Sequence, residues 1–525
     1  MENTEQKTCQ VEMHDDKQCG RPLYDGEKCI CHSKKEDKDV ELFQKELDKI
    51  FSDDEAAYYD MTCFIFPKDG YKLPMNYKKD TYCYEATFLG KADFEGATFS
   101  GDADFFYATF SGDADFSDAK FSGKAYFFEA KFLGKANFFT TTFLGEADFR
   151  AVKFSGETHF SEAMFSGDAE FGSAAFSGDA IFWKLTFSGE ARFGEATFSG
   201  EANFRMTMFS EYANFIRAKF LREANFNGAM FSGFTWFRLT RFEKRVIFHC
   251  QVSKDAVVTF NGEKLGEEKE EMFPDGADFS SCIFAQPKNI MFRKLSLEKC
   301  EFLETDVTEV QFVDVAWASK PKFFKWFRRQ AVCDEFSRKP DYKLIAQLYR
   351  RLQKNYIDNF QYAEAGDFYI GEQEMVRKAK GSGWKVWRRI FCTNFLYKYI
   401  SYYGESFLLP LFWLAFVLLL LPAVLLYDGI NLNPTLQDPA VVETVNYEWS
   451  WSPGDFLPVS GDSRRDYWEA FVANFSVIAY SRSDIGKYLP ESGTRFIVTI
   501  ESLIVIALLA FFLLALRRQY KRKTF

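Results

Sequence analysis

Between Phe88 and Phe248, phenylalanine recurs at 88, 94, 99, 105, 110, 116 and onward, the spacing alternating six and five without an error. A strict eleven-residue period held over about 160 residues defines a repeating architecture before any local element is considered. Two residues before most of these rings stands alanine (Ala92, Ala97, Ala103, Ala108, Ala114, Ala119), as in Ala92-Asp93-Phe94-Glu95-Gly96. Residues two apart in an extended chain share a face, so one small and one large side chain point inward while the Asp, Asn, Thr or Lys between them meets water. A helix is excluded: spacings of five and six drift around a 3.6-residue turn, and glycine recurs within the repeat. The pattern predicts a narrow β-solenoid with phenylalanine stacked on phenylalanine in successive coils and alanine leaving room for the rings.

These Ala-Asp-Phe-x-x units resemble the pentapeptide-repeat family, which builds a right-handed quadrilateral β-helix. Every second unit carries a sixth residue, which makes a four-sided coil of twenty-two residues. The Ser-Gly step after alternate rings reads as the turn, and a water-facing residue such as Asp168 is expected to be nearly silent on substitution. The solenoid is assigned to residues 80–317, with an insertion near Asn261 to Pro274 and an end near Trp317. A helical connector over 320–380 follows. There Leu344, Leu348, Leu352 and Tyr356 sit at four-residue spacing, and Pro340 stands near the start of the first helix of a hairpin.

With 525 residues, 63 of them Phe, the chain exceeds one uniform domain, and its 14 Pro and 32 Gly exclude disordered and collagen-like classes. Hydropathy is segregated toward the end. Residues 384–403 place Trp and Phe beside cations, as an interfacial helix does. Residues 407–427 and 496–516 are apolar runs of about twenty residues, enough for two membrane spans. Lys385, Arg388, Arg389 and Lys398 precede the first run, and the basic tail 517–525 follows the second. The positive-inside rule then makes both termini cytosolic and the protein a multi-pass membrane protein. No basic and apolar leader precedes the soluble body, which is expected in the cytosol.

Between the runs, residues 466–490 read as a short helix and a compact polar turn, Ser481-Arg482-Ser483-Asp484-Ile485-Gly486, before Pro490. Span, short helix, turn and span resembles the pore domain of two-span potassium-channel-like proteins. The resemblance implies a re-entrant pore loop, an oligomer, by analogy a tetramer, and permeant ions. Only Gly486 matches the family's filter. With Asp484 in place of its first glycine, the row of carbonyls that selects potassium is not expected. In a tetramer Arg482 and Asp484 would each form a ring of charge; the alternative is an ion pair between them that holds the loop. Glu501 is expensive in lipid, which favours a pore, a subunit interface or a hydrogen-bonded place behind the pore helix.

Eleven cysteines, four of them within the first 31 residues, argue against a secreted disulfide framework. Cys9, Cys19, Cys29 and His32 supply a tetrahedral ligand set for structural zinc in a segment too short to have its own core. The alternatives are free thiols, or a set in which His14 or Cys31 replaces a ligand. This segment and the charged helix after it make up residues 1–60.

No phosphate-binding glycine loop or nucleophile elbow occurs and the chain has four His, so it is not expected to be an enzyme. A net charge of −10 argues against nucleic-acid partners. From 88 to 248 there are 21 acidic and 17 basic residues, too balanced for a DNA mimic. The expected function is an ion channel of the lipid membrane with a large cytosolic solenoid. The alternative is a non-conducting, membrane-anchored scaffold.

Overall fold

The structure is a computed structural model that describes residues 7–262, 271–321, 328–380, 393–428, 430–432, 471, 488–490 and 494–523. It divides into two compact units, Met1–Lys322 with Arg328–Asn355, and Phe323–Phe327 with Tyr356–Phe525.

The first unit is a four-sided β-solenoid whose parallel sheets contain 12, 10, 10 and 9 described strands. Ala92 pairs with Ala114 and Ala114 with Ala136, so one coil takes twenty-two residues, as the alternating units predict. Two sheets are built from Ala-Asp type strands such as Ala103–Asp104, with the alanine inward. The other two are built from strands such as Thr109–Phe110, with the ring inward. Every phenylalanine of the six-and-five series from Phe88 to Phe248 is buried. Phe94 stacks on Phe116 at 4.7 Å and 5°, and Phe88 on Phe110 at 4.8 Å and 3°. Within a coil the rings meet edge to face, Phe94 to Phe105 at 5.6 Å. Four parallel ladders of Phe, locked to one another by edge contacts, are the core.

The corners do not follow the sequence expectation. None of the Ser-Gly glycines between Gly101 and Gly200 has a positive φ. The left-handed residue is instead the second after alternate rings. It recurs every eleven positions as Glu85, Gly96, Tyr107, Asp118, Glu129, Thr140, Ala151, Glu162 and so on to Arg217, nearly always without glycine. The Ser-Gly glycines answer a different demand. A Cβ on Gly134 would lie 2.6 Å from both the carbonyl carbon and the oxygen of Gly112 in the coil before. These glycines let coils approach and contribute nothing to the handedness of the turn. The residue after them is not idle either, because Asp168 Oδ1 accepts from the Glu190 N–H at 3.0 Å, and Asp102 and Asp113 bond the next coil in the same way.

Both ends of the ladder are covered. The first paired strands are Tyr58–Asp60 and Ile65–Phe66, upstream of residue 80. Helix α1 (Val40–Ser52) lays the buried Phe43 on Phe64 and Phe66. At the other end the pairing Val246↔Ala277 carries the coil across the expected insertion, and Trp317 closes over Phe302 and Phe312. Helix α2 (Tyr342–Asp358) follows Pro340, its first turn capped by Asp341 Oδ1. Asn355 donates to the carbonyls of Val307 and Val310, and Arg351 to that of Thr305, satisfying acceptors of the last coil. Arg329, Tyr349 and Lys320 converge on the buried Glu335, and against the upward push of burial they hold its carboxyl down to about 2.

The second unit is helical: α3 (Tyr362–Ala379), α4 (Thr393–Ser401), α5 (Leu408–Asp428) and α6 (Thr494–Lys523). Residues 384–392 of the expected interfacial helix lie outside the described residues. Phe407, at the start of α5, packs on Phe512 near the end of α6. At the other end the strand Ile430–Leu432 pairs antiparallel with Tyr488–Pro490. The two helices are therefore antiparallel. Among the described residues one helix segment, Thr499–Arg518, is long and apolar enough to cross a membrane, and the described apolar part of α5, Leu408–Leu420, is shorter than a span.

Phe171, stacked between Phe149 and Phe193 at 5.0 and 4.8 Å, should cost about 3–5 kcal/mol when replaced by alanine. Asp168→Ala should cost about 0.5–1.5 kcal/mol through its one partly exposed hydrogen bond. Denaturant midpoints check the ranking, and equal losses would show that the inward register is wrong. The corners generate an inverted pair: Gly134→Ala should destabilise, whereas Ala151→Gly, which relieves a left-handed alanine, should be neutral or stabilise by up to ~1 kcal/mol.

Candidate metal centre

The segment before α1 has little apolar surface and is shaped by two tight hairpins. Cys9 N–H donates to the Arg21 carbonyl and Gly20 N–H to the Cys9 carbonyl, with Met13 to Lys17 closing the tip, so nine intervening residues return Cys19 beside Cys9. Tyr24 N–H donates to Lys28 O in a second, shorter hairpin that presents Cys29. His32 N–H and Ser33 N–H both donate to the Cys29 carbonyl, and this turn brings His32 to the same point. Two nine-residue gaps are thus hairpin lengths, which explains a spacing unlike paired knuckles.

Cys9 Sγ, Cys19 Sγ, Cys29 Sγ and one ring nitrogen of His32 all lie within 4.8 Å of one another. Cys19 Sγ to Cys29 Sγ is 3.7 Å, and His32 Nδ1 lies 3.1 Å from Cys29 Sγ and 3.4 Å from Cys9 Sγ. Metal–sulfur bonds of about 2.3 Å in a tetrahedron place sulfurs about 3.8 Å apart, so the donor set fits a small tetrahedral cation. His32 Nε2 is 3.1 Å from the Thr62 carbonyl, which can only accept, so Nε2 carries the hydrogen and Nδ1 turns its lone pair to the thiols. Cys9, Cys29 and His32 are buried and Cys19 is half-buried. The Cys29 thiol is pushed up to about 12: its hydrogen bond with Cys19 lowers it, but the bond with Cys31 and burial outweigh that. Arg21 Nη1 donates to Cys19 Sγ at 3.3 Å.

Of the alternative ligands, His14 is placed elsewhere, stacked on Tyr82 at 3.6 Å. Cys31 is buried beside the cluster, its thiol hydrogen-bonded to that of Cys29 and its carbonyl accepting from Ile65 N–H at 2.8 Å, but it is not one of the four residues whose donor atoms converge. Each described cysteine is a free thiol. Sequence reasoning missed what ties the cluster to the solenoid. Thr62 holds the imidazole, the His32 ring meets Phe64 edge-on at 5.2 Å, and Lys38 Nζ donates to the carbonyls of Ile30 and Ile65. Burial lowers the Lys38 ammonium to about 8. No spacing signalled these contacts, because each joins residues 27 or more positions apart, apart from the eight between Lys38 and Ile30.

Of the expected pore residues, Ser481, Arg482, Ser483, Asp484, Ile485 and Gly486 lie outside the described residues. Glu501 is described and is 2% exposed, within a helix whose other side chains Ile500, Leu503 and Ile504 are exposed.

The sequence model of pentapeptide repeats (9 copies) matches residues 84–131, 152–197 and 182–230, all inside the solenoid. No curated protein and no solved structure matches the chain. The chain carries pentapeptide repeats, wound as a four-sided β-solenoid.

Proposed function

We propose that this protein is an oligomeric membrane ion channel with two spans, both termini cytosolic, and a pentapeptide-repeat solenoid in the cytosol. One observation carries the reading: α5 and α6 run antiparallel with large apolar side chains exposed along both, among them Phe412, Phe416, Leu419, Leu503, Ile506 and Leu513. Water does not tolerate such a pair, whereas lipid and further copies of the chain do. Two further features support it. The pairing of Ile430–Leu432 with Tyr488–Pro490 returns the intervening chain to the helix ends, as a re-entrant loop requires. Glu501 is withdrawn from the exposed apolar surface of α6, as a carboxyl serving a pathway or a loop behind it would be.

The opposite ends of α5 and α6 meet a polar junction. Glu374 on α3 accepts from Arg377, Lys398 and the Tyr403 hydroxyl at 2.8, 2.9 and 2.8 Å, and Arg518 on α6 donates to the Tyr403 carbonyl. Tyr402, Tyr403 and Gly404, with φ of 50, 62 and 78°, form a left-handed turn between α4 and α5. The cations at this end fit the cytosolic face.

In planar bilayers the purified chain should pass single-channel currents whose reversal in asymmetric KCl shows a weak cation preference. Asp484→Asn should reduce that preference and Arg482→Gln should raise it, because rings of charge dominate the potential in a narrow pore. Strong potassium selectivity or indifference to both changes would refute the filter, and no current at all would leave a tethered scaffold.

The N-terminal cluster would hold structural zinc through Cys9, Cys19, Cys29 and His32; the ion supplies the cross-link that a segment without a core lacks. Metal analysis should find about one zinc per chain, lost in the Cys19→Ala, Cys29→Ala variant. Chelation should also speed hydrogen exchange at Ile65, whose amide is bonded to Cys31. Unchanged zinc in the variant would refute the ligand set.

A further inference from the structure

On one outer face of the solenoid the usual polar residues give way to rings. Tyr82, Asp104, Tyr126 and Asp148 occupy one column in successive coils. Two residues after each stand Tyr84, Phe106, Phe128 and Arg150 at the following corner. Phe106 stacks on Tyr126 at 5.6 Å and meets Phe128 at 5.5 Å, while Tyr107 meets Tyr84 at 5.6 Å and Phe128 at 5.9 Å. Tyr84 and Tyr107 are exposed, and Phe106, Tyr126 and Phe128 are half-buried.

The repeat supplies its own control for what this surface holds. Arg150 Nε and Nη2 donate to the Asp148 carboxylate at 2.9 and 2.6 Å while the guanidinium lies 5.5 Å from the centre of the Phe128 ring. Asp104, two coils earlier, has the same backbone setting: its Oδ1 accepts from Phe106 N–H at 2.8 Å as that of Asp148 accepts from Arg150 N–H at 3.0 Å. Where Arg150 stands in the later coil, this one has Phe106, and the cation is missing. Burial pushes the Asp104 carboxyl up to about 6, opposed by the Phe106 N–H and by His14, which stacks on Tyr82. Lys124 at the rim is paired with Glu146. Glu85 and Glu129 flank Tyr107 in its corner column.

We propose that this face docks a basic segment of a partner protein, one arginine or lysine side chain sitting on Asp104 against the rings of Tyr84 and Phe106. Three carboxylates interleaved with rings match a cation that is both paired and stacked, as Arg150 is within the chain. An apolar partner would bury Asp104 without a counter-charge, and an acidic one would be repelled.

The test is fluorescence anisotropy of the full-length protein in detergent with a labelled peptide of alternating glycine and arginine. The parent should bind it and not the matching glycine–glutamate peptide. Asp104→Asn and Tyr84→Ser should each weaken binding roughly tenfold. Asp179→Asn, the same charge change at a corner beside another sheet, should leave it within about twofold. Equal loss from Asp179→Asn would reduce the effect to net charge and overturn the proposal. So would binding of the acidic peptide, no binding by the parent, or self-association of the chain abolished by Tyr84→Ser, which would make a second copy the occupant.

Discussion

Ring stacking at the repeat distance of the sheet is the interaction on which the rest of this protein depends. Parallel strands lie about 4.8 Å apart, and flat aromatic rings stack comfortably at about the same separation. Phe94 on Phe116 and Phe171 on Phe193, at 4.7 and 4.8 Å, satisfy both at once. A residue gained or lost within a strand would throw its rings out of the ladder and its amides out of the sheet together, whereas an extra residue at a corner is absorbed, as where Phe260, 23 residues after Phe237, still stacks on it at 4.9 Å. That double penalty accounts for a period kept without error from Phe88 to Phe248. It also accounts for alanine at the inward positions, since four rings fill each coil and little volume remains.

The geometry has costs that the ladder must offset. One residue in eleven is left-handed without glycine, at about 1–2 kcal/mol each, because the corner must turn whichever side chain is present. Glycine is kept where backbone meets backbone between coils, as at Gly112 and Gly134. A solenoid also ends twice in unpaired backbone and bare rings, so its ends require modules of different character. At the first end the hairpins of the Cys₃His cluster lie on Phe64 and Thr62. At the last, Trp317 covers the rings and Asn355 and Arg351 take up the free carbonyls.

The helical unit obeys the opposite rule. Its apolar residues face outward on α5 and α6, while its charged groups, Glu374 with Arg377 and Lys398, are drawn together at one end. One chain thus joins a module that buries its ladder of Phe to one that displays apolar side chains along its helices, and the proposed membrane function follows from that difference.

Composition and period alone determined the solenoid and its inward face, because a side-chain period of two in a strand leaves only one register that buries the repeating Phe; the twenty-two-residue coil followed from the four sides that the resemblance to pentapeptide repeats implies. The four residues of the Cys₃His cluster were also legible, since thiols and imidazole in a coreless segment have few other uses. Tertiary structure decided which residues turn the corners, because left-handed φ is imposed by coil closure and leaves no mark when Tyr107 or Lys184 fills the site. It alone showed that the Ser-Gly glycines serve close approach, and that His32 is oriented by a carbonyl thirty residues away. It alone set Asp104 among rings donated by the coils before and after it, a neighbourhood assembled at intervals of twenty-two residues that no local motif can spell.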